Sequence, residues 1–436
     1  MEPFKLFATA GSPILHSLSP DLFNPLFARD NLPYIYTRIV AATPEEAIQF
    51  YRNLPLQGMN ITTPLKTGMV KYLDTLDPAA KDLGAVNTVV AEDGGLKGYN
   101  TDPDGVVQSL KRRILNLKGV RCVVLGAGAA GRAAVHGLVR EGAEVTLINR
   151  TDGKAEEVSH RLGCSWGRWK NLGDVFSRAE VLVSAVSSAE TFIPEDCLNP
   201  GIVVLEADYK NAPLAAMARR RGCLYIGGEE WLLHQAIPAF KLFTGREGDE
   251  DSLWAALSQT ADRKTPKPNL ALIGFMGCGK TSVGRGLAQK MNLPFVDTDQ
   301  SIETEEGVSV SEIFRQRGER RFRQMESETL SCLGKQSGMV LSCGGGCVEN
   351  ADNRTVLANF SLVVWLWAPL GICLQRIIPG SRPLLAGADP LEKAAELLKK
   401  RIPVYAETAA MVVSAERDVK EIVEALYAEI GPALGR

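Results

Sequence analysis

One stretch decides the fold of the C-terminal part of this chain: LALIGFMGCGKTSVGRGLAQKM, residues 270–291. It reads as a short apolar strand, a glycine-rich turn and a helix, and the turn matches the pattern G-x-x-x-x-G-K-[ST] of a phosphate-binding loop. In such loops backbone N–H groups surround phosphates, the lysine reaches the β- and γ-phosphate oxygens, and the hydroxyl binds Mg²⁺. The stretch therefore predicts a P-loop domain with a parallel α/β sheet. The predicted nucleotide contacts are Gly274, Gly277, Gly279, Lys280 and Thr281.

Two carboxylates follow the next predicted strand, in PFVDTD at residues 294–299. Asp297 and Asp299 are two positions apart, so in an extended chain both side chains project on the same side. We expect Asp297 to hold Mg²⁺ through water, together with Thr281. Asp299 is expected to face the phosphoryl acceptor, where it can orient a hydroxyl or accept its proton.

A second glycine-rich loop, GAGAAG at residues 126–131, lies between the apolar stretch 121–125 and a predicted helix. A G-x-G-x-x-G sequence is weak evidence alone, but between a strand and a helix it is typical of dinucleotide-binding sites. The glycines allow a tight turn and a close approach of the backbone to a pyrophosphate at the helix N-terminus. The loop therefore predicts a Rossmann domain. The predicted contacts are Gly126, Gly128, Ala129, Ala130 and Gly131.

The residues after the next strand indicate which dinucleotide binds. Asn149, Arg150 and Thr151 follow the predicted strand 144–148 and are predicted cofactor contacts. An NAD enzyme usually has an Asp or Glu here to bind the ribose 2′-hydroxyl. Arg150 instead offers a planar, permanently charged group suited to a 2′-phosphate. The sequence therefore predicts NADP as the cofactor.

The composition is that of a soluble protein of several domains. The 436 residues suffice for roughly two to four domains. The charge of −2, from 49 Lys+Arg and 51 Asp+Glu, offers no general attraction to nucleic acid or acidic membranes. We find neither a signal-peptide pattern nor an apolar stretch long enough to span a membrane. The nine cysteines lack a disulfide or zinc-ligand spacing, so we expect reduced thiols and a cytoplasmic location.

Charge and proline mark a linker where DRKTPKP, residues 262–268, interrupts the apolar pattern. We predict an α/β substrate domain at 1–102 with returning helices at about 230–258, and a Rossmann domain at 103–229. The linker is predicted at 259–268 and the P-loop domain at 269–436. Because strands alternate with helices throughout, we expect parallel α/β sheets.

Four polar clusters precede the dinucleotide loop: HSLSP at 16–20, NITTPLK at 60–66, GAVNT at 84–88 and GYNTD at 98–102. Each places small hydroxyl or amide groups at the end of a predicted strand, where α/β proteins usually bind ligands. Any one of them reads as a turn or a helix cap. Together, and in this order, they resemble shikimate dehydrogenase over residues 5–245.

The resemblance implies that Lys66 and Asp102 are the catalytic pair. One of them gives a proton to the substrate carbonyl oxygen as a hydride arrives from the nicotinamide, and the ammonium stabilises the developing alkoxide. Glu230 stands where that family often has a glycine near the nicotinamide. The implied substrate contacts are Ser17, Ser19, Thr62, Asn87, Tyr209 and Gln235.

Further motifs follow the phosphate loop: RRFRQME at 320–326, CGGG at 343–346, SRPLL at 381–385 and RIPVY at 401–405. With the loop they resemble shikimate kinase, a P-loop fold of the nucleoside-monophosphate-kinase type, over residues 269–425. The resemblance implies that Arg382, in a Gly- and Pro-rich lid, adds charge over the phosphoryl group, alongside Lys280. The implied shikimate contacts are Asp299, Arg323, Gly345 and Arg401.

The two resemblances imply consecutive reactions. NADPH would reduce 3-dehydroshikimate to shikimate, and ATP with Mg²⁺ would phosphorylate the shikimate to shikimate 3-phosphate. One alternative is a quinate/shikimate dehydrogenase of looser specificity fused to the same kinase. Another is a non-catalytic shikimate-binding sensor, for which Glu230 is the sequence argument. The sequence predicts no nucleic-acid or membrane partner, and it leaves the oligomeric state open.

Overall fold

A computed structural model describes residues 2–186, 193–209, 212–260, 267–378, 383–385 and 389–431. The chain forms two compact units. Unit 1 contains the described parts of residues 1–20, 27–56 and 261–436, and unit 2 contains residues 21–26 and the described parts of 57–260. Most of the predicted linker lies outside the described residues. Among the described residues, no helix combines the length and the apolar character needed to cross a membrane.

The strands are numbered in chain order. They are β1 Lys5–Gly11, β2 Tyr34–Val40, β3 Leu56–Ile61, β4 Thr75–Leu76, β5 Thr88–Glu92, β6 Gly95–Tyr99, β7 Arg121–Leu125, β8 Glu144–Asn149, β9 Ser165–Arg168, β10 Val181–Ser184, β11 Val203–Glu206, β12 Leu224–Ile226, β13 Asn269–Ile273, β14 Phe295–Asp297, β15 Val340–Ser342, β16 Ser361–Trp367 and β17 Met411–Ser414.

The helices are numbered in the same way. They are α1 Ser19–Arg29, α2 Pro44–Asn53, α3 Pro78–Leu83, α4 Asp102–Lys111, α5 Ala129–Arg140, α6 Asp152–Leu162, α7 Leu172–Phe176, α8 Pro213–Arg220, α9 Gly228–Thr244, α10 Glu250–Thr260, α11 Lys280–Met291, α12 Thr298–Glu306, α13 Val310–Leu333, α14 Ala351–Phe360, α15 Leu370–Gln375, α16 Pro390–Thr408 and α17 Val419–Ile430. Helix α13 is kinked at Gly318, whose φ is +78°.

Unit 2 contains the predicted Rossmann sheet. Its six strands lie in the order β12-β11-β10-β7-β8-β9 and pair in parallel. The central strand β7 is buried from Cys122 to Leu125, as expected for a parallel sheet covered on both faces. Helix α5 begins directly after the glycine-rich loop that leaves β7. The loop therefore lies at the carboxyl edge of the sheet, where such folds bind ligands.

The remaining strands of unit 2 pair in the order β3-β5-β6-β4. Here the expectation of parallel sheets is wrong, because β5 is antiparallel to both β3 and β6. The reason is local. Asp93 and Gly94 adopt φ angles of +52° and +81° and close a two-residue hairpin between β5 and β6. Turns with two positive φ angles match the twist of antiparallel strands, and Asp-Gly is a favoured pair for them.

Unit 1 contains the P-loop sheet, in the order β14-β15-β13-β16-β17, and all these strands are parallel. In the same unit the sheet continues through β2 and β1, because β17 pairs with β2 in register Val412↔Ile39 and Val413↔Val40. Ile14 and Val40 share one buried apolar cluster with residues of the P-loop sheet. Residues from both ends of the sequence thus form one core in unit 1.

Candidate active sites

The dinucleotide loop of unit 2 has the shape that its glycines predict. Gly126 has φ +102°, a conformation that side chains rarely allow. A Cβ on Gly131 would lie 1.7 Å from the Gly126 carbonyl oxygen, so the first turn of α5 packs directly on the loop. A Cβ on Gly128 would meet no atom within 4 Å. Open space therefore lies in front of this helix N-terminus, and the loop fits a pyrophosphate.

The residues after β8 are tied to this loop. The Ala127 backbone N–H donates to Asn149 Oδ1 (3.1 Å), and Asn149 Nδ2 donates to the Thr151 carbonyl oxygen (3.1 Å). Arg150 lies between these anchors and is exposed. The structure therefore brings the predicted contacts of the pyrophosphate and of the ribose to one edge of the sheet. An exposed guanidinium there fits the 2′-phosphate of NADP.

A polar cluster in unit 2 surrounds the predicted catalytic pair. Lys66 Nζ lies 2.5 Å from Asp102 Oδ2, and the Asp102 side chain is 6% exposed. Asn87 Nδ2 donates to Asp102 Oδ1 (3.0 Å) and to Gln235 Oε1 (2.7 Å). Three elements meet here, because Asn87 precedes β5, Asp102 begins α4 and Gln235 belongs to α9. The cluster presents an ammonium, a carboxylate and two amides together.

Backbone and indole contacts fix this cluster in place. Asn87 Oδ1 accepts from the Thr101 backbone N–H (2.9 Å), and the Lys66 carbonyl oxygen accepts from the Val86 N–H (2.9 Å). The indole Nε1–H of Trp231 donates to the Asp102 carbonyl oxygen (3.1 Å). The side chains are therefore held before any substrate arrives, as a catalytic group requires.

The other predicted substrate contacts lie on loops or helix starts. In unit 1, Ser17 Oγ donates to Ser19 Oγ (3.2 Å), and both residues are 7% exposed. In unit 2, Thr62 follows β3 and is half-buried, and its carbonyl oxygen accepts from the Leu65 N–H (2.8 Å). Tyr209 is half-buried in the loop after β11.

Glu230 has a structural explanation that the sequence did not supply. It lies in the first turn of α9, is 5% exposed, and forms an ion pair with Arg113, just beyond α4. His234 Nε2 lies 3.8 Å from its carboxylate. Burial opposes ionisation of Glu230, but His234 and Arg113 outweigh it and lower the pKa. Glu230 therefore anchors α9 to the end of α4.

The phosphate loop of unit 1 depends on its glycines in two places. A Cβ on Gly274 would lie 2.3 Å from the Leu366 carbonyl oxygen, and one on Gly277 would lie 2.2 Å from that of Cys373. Lys280 Nζ donates to the carbonyl oxygens of Gly274 and Phe275, each at 3.0 Å, and so folds over the loop. Gly279 has open space around its Cβ position. The loop borders a pocket of about 570 Å³, which fits nucleotide phosphates.

The predicted Mg²⁺ ligands are in contact with each other. Thr281 Oγ1 donates to Asp297 Oδ2 (2.7 Å), and Thr281 Oγ1 lies 3.4 Å from Ser342 Oγ. These are oxygen donors of the kind that Mg²⁺ prefers, beside the loop that binds the phosphates. The donor set therefore fits a hydrated Mg²⁺ ion.

The geometry expected for the two carboxylates was wrong. Strand β14 ends at Asp297, and α12 begins at Thr298, so Asp299 lies in the first turn of a helix and not in an extended chain. The cause is capping, because Asp297 Oδ1 accepts from the N–H groups of Asp299 (3.1 Å) and Gln300 (3.3 Å). Both side chains nevertheless line the same pocket.

A second cleft adjoins the phosphate pocket. Asp299 and Gly345 line both, so an acceptor in the second cleft lies next to the nucleotide phosphates. The Gly345 loop is held by the Tyr405 hydroxyl, which donates to the Gly345 carbonyl oxygen (2.5 Å). The polar side chains of this cleft are Asp299, Arg323, Glu326 and Arg401. Arg382 lies outside the described residues.

Each arginine of this cleft has a carboxylate partner that was not predicted from the sequence. Arg323 Nη1 donates to Glu326 Oε2 (2.5 Å), and Arg401 donates to Glu349 Oε1 through Nε (2.9 Å) and Nη2 (2.7 Å). The spacing of Glu326 three positions after Arg323 on a helix was a usable signal. Nothing in the local sequence linked Arg401 to Glu349, which lies fifty-two positions earlier.

The pKa values of Glu326 and Glu349 shift in opposite directions. Glu326 is 1% exposed, and burial raises its pKa to about 7, although Arg323 opposes the shift. For Glu349, burial is outweighed by Lys400 and Arg401, which lower the pKa. Glu326 therefore titrates near neutral pH, whereas Glu349 stays ionised.

A dinucleotide loop in a Rossmann sheet and a phosphate loop in a P-loop sheet are typical of a dehydrogenase joined to a P-loop kinase. Three family models match, namely the shikimate dehydrogenase substrate binding domain at residues 9–89, shikimate / quinate 5-dehydrogenase at 108–203, and shikimate kinase at 276–431.

Curated relatives agree with the dehydrogenase part. Shikimate dehydrogenase (NADP(+)) of Pyrococcus furiosus is 34% identical over 268 residues, 60% of this chain and 98% of that protein. The enzyme of the same name from Moorella thermoacetica is 39% identical over 261 residues, 56% of this chain and 88% of that protein. The chain belongs to the shikimate dehydrogenase family, and it also carries a shikimate kinase domain.

Solved structures give the same result. Shikimate dehydrogenase from Aquifex aeolicus matches with a TM-score of 0.55 and 33% identity, over 59% of this chain and 99% of that one. Quinate dehydrogenase from Corynebacterium glutamicum, solved with NAD, matches with a TM-score of 0.54 and 26% identity, over 59% of this chain and 100% of that one. Both predicted resemblances are confirmed. The chain is a bifunctional shikimate-pathway enzyme whose cofactors are NADP(H), ATP and Mg²⁺.

Proposed function

We propose that the chain reduces 3-dehydroshikimate to shikimate and then phosphorylates the shikimate, with the residues described above in specific roles. The observation that carries the first step is the Lys66–Asp102 contact of 2.5 Å within a fixed polar cluster. NADPH, when bound, supplies a hydride to the carbonyl carbon of the substrate. The Lys66 ammonium gives a proton to the carbonyl oxygen, whose C=O π pair forms the new O–H bond.

Asp102 supports this proton transfer in two ways. Its carboxylate holds the Lys66 side chain in position through their ion pair, and it can accept a hydrogen bond from a substrate hydroxyl. Asn87 and Gln235 are proposed to bind the ring hydroxyls, because their amides lie in hydrogen-bonding distance of each other at the same cluster. For Ser17, Ser19, Thr62 and Tyr209 the proposed roles rest on the family resemblance, with the two serines binding the substrate carboxylate.

For the second step we propose that Asp299 acts on the acceptor. Its position in both adjoining clefts supports this role, since the shikimate 3-hydroxyl must meet the γ-phosphorus there. Asp299 accepts the hydroxyl proton, the oxygen forms a bond to the γ-phosphorus, and the bond between that phosphorus and the bridging oxygen of ADP breaks. Lys280 and Arg382 are proposed to stabilise the negative charge of the phosphoryl group. Mg²⁺, held by Thr281 and Asp297, would neutralise further phosphate charge when bound.

Arg323 and Arg401 are proposed to bind the shikimate carboxylate. Both lie in the cleft that shares Asp299 with the phosphate pocket, and paired guanidinium groups suit a carboxylate. The NADPH and ATP requirements and the nine cysteine thiols also support a cytoplasmic location.

Two variants test the assignment of each step to its own residues. Lys66→Ala should lower dehydrogenase kcat by about 10²–10⁴, the usual effect of losing a proton-transfer group, and leave the kinase activity unchanged. Lys280→Ala should abolish phosphoryl transfer and leave the reduction unchanged. Lys81→Ala, at an exposed lysine, is the control for both. Unchanged reduction by Lys66→Ala, or retained phosphorylation by Lys280→Ala, would contradict the corresponding role.

A quinate/shikimate dehydrogenase of looser specificity is the second candidate, because the quinate dehydrogenase of Corynebacterium glutamicum shares the fold. The exposed Arg150 after β8 favours NADP and therefore the first candidate. A comparison of kcat/KM for shikimate with NADP⁺ and for quinate with NAD⁺ distinguishes them. We expect the first pair to be preferred, and the reverse preference would establish the second candidate.

A further inference from the structure

A carboxylate near the end of the P-loop part of unit 1 binds the backbone near the start of the chain. Glu429 of α17 accepts with one oxygen, Oε1, from the consecutive N–H groups of Ile14 (2.5 Å) and Leu15 (2.6 Å). Glu429 is 5% exposed. A buried carboxylate is costly unless hydrogen bonds compensate it, so this contact contributes to the folded structure and is more than a surface encounter.

The bonded turn leads directly to the two serines proposed to bind the substrate carboxylate. The Ser17 backbone N–H donates to the Ile14 carbonyl oxygen (2.9 Å), which closes the turn from residue 14 to residue 17. The Ser17 hydroxyl lies 3.2 Å from that of Ser19. Glu429 therefore binds the first two residues of the turn, Ile14 and Leu15, and Ser17 is its last residue.

A second polar contact joins the same turn to the P-loop sheet. Arg38 of β2 donates through Nε to the Ser17 carbonyl oxygen (2.8 Å) and through Nη1 to the Ala410 carbonyl oxygen (3.3 Å), just before β17. An apolar contact is added to these hydrogen bonds, because the side chain of Ile14 is fully buried in one cluster with Leu426 and Ile430 of α17. Both polar and apolar contacts within unit 1 therefore hold this turn.

We propose that Glu429, although it belongs to the kinase part of the sequence, is a positioning residue for the dehydrogenase: it fixes the turn at residues 14–17 that presents Ser17 and Ser19. This inference rests on the proposed role of these serines in binding the substrate carboxylate. Glu429 touches no reacting atom. Its loss should therefore weaken binding of 3-dehydroshikimate, and it should change neither the proton transfer at Lys66 nor the binding of NADPH.

The test uses steady-state kinetics of the full-length chain. Glu429→Ala should raise KM for 3-dehydroshikimate about tenfold, the scale for losing charged hydrogen bonds, with kcat and the KM for NADPH unchanged. Glu429→Gln keeps an acceptor oxygen, so its KM for 3-dehydroshikimate should be much closer to that of the parent. This variant can also be measured if the alanine variant folds poorly. Glu424→Ala, on the same helix but exposed and paired with Lys290, is the matched control and should leave KM unchanged.

The variant Ser17→Ala distinguishes the positioning role of Glu429 from the carboxylate-binding role of Ser17. If Ser17→Ala raises KM and both Glu429 variants leave it unchanged, the positioning role is wrong. If Ser17→Ala leaves KM unchanged, the carboxylate-binding role itself is wrong. The double variant Ser17→Ala/Glu429→Ala should have a KM close to that of Ser17→Ala alone, because coupled residues are not additive. An equal fall of kcat and of kinase activity in Glu429→Gln would indicate general unfolding and would overturn the proposal.

Discussion

At the residue scale, the proposed preference for NADP rests on one exposed arginine, Arg150. Arg150 follows β8, next to Asn149, which is hydrogen-bonded to the dinucleotide loop. Arg150→Ala should raise KM for NADPH roughly tenfold to a hundredfold, because a charged hydrogen bond to the 2′-phosphate is lost. KM for NADH should change far less. Initial rates with the two cofactors measure this, with Arg219→Ala, at an exposed arginine of unit 2, as control. Equal changes in KM for NADPH and for NADH would show that Arg150 does not bind the 2′-phosphate.

Glu326 predicts the pH dependence of shikimate binding to the kinase. Its pKa in the folded protein is raised to about 7 by burial, so the group is mostly neutral below pH 7 and mostly ionised above it. The ionised form would offset the charge of Arg323 and repel the carboxylate that Arg323 is proposed to bind. KM for shikimate should therefore rise as the pH increases through about 7.

Glu326→Gln is the variant that checks this assignment. The amide cannot ionise, so the rise of KM around pH 7 should disappear while KM at pH 6 stays close to that of the parent. Glu319→Gln is the control, because Glu319 also accepts from Arg323 but is exposed. If the profile persists in Glu326→Gln, another group is responsible for it.

At the element scale, the strand–loop–helix units could be predicted from the sequence, because glycine spacing and apolar strands are local features. Both glycine loops lie where their motifs placed them. The Asp297–Asp299 geometry was predicted incorrectly, since an aspartate that ends a strand also caps a helix. The hairpin β5–β6 was missed for a similar reason, because Asp93 and Gly94 were not considered as a turn.

The dinucleotide loop offers a test of the role of a single element. Gly128 has an ordinary φ of −74° and open space at its Cβ position, whereas a Cβ on Gly131 would collide with the Gly126 carbonyl oxygen. Gly128→Val should therefore keep the melting temperature of the parent but weaken NADP⁺ binding more than roughly tenfold, because the side chain fills the pyrophosphate space.

Gly131→Val is the comparison, and it should lower both the melting temperature and NADP⁺ affinity, because the loop must move. Calorimetric titration and thermal unfolding measure the two quantities. If Gly128→Val binds NADP⁺ as tightly as the parent chain, the cofactor does not rest on this helix N-terminus.

At the scale of the whole molecule, the identity of the two activities could be predicted because each part carries its own ordered motifs. The long-range contacts could not be predicted from the sequence. The bond of Arg401 to Glu349 and that of Glu429 to Ile14 each join residues that lie far apart in the chain. The pairing of β17 with β2 could not be predicted for the same reason. The local sequence of a strand does not identify the strand with which it pairs.

One chain should perform two consecutive reactions, and a single coupled assay can follow both. Purified protein is mixed with 3-dehydroshikimate, NADPH and Mg-ATP, and NADPH absorbance and shikimate 3-phosphate mass are followed together. We expect that NADPH is consumed and that an equal amount of shikimate 3-phosphate forms. If NADPH stays constant while added shikimate is phosphorylated, the dehydrogenase part acts as a sensor, and the chain does not catalyse both reactions.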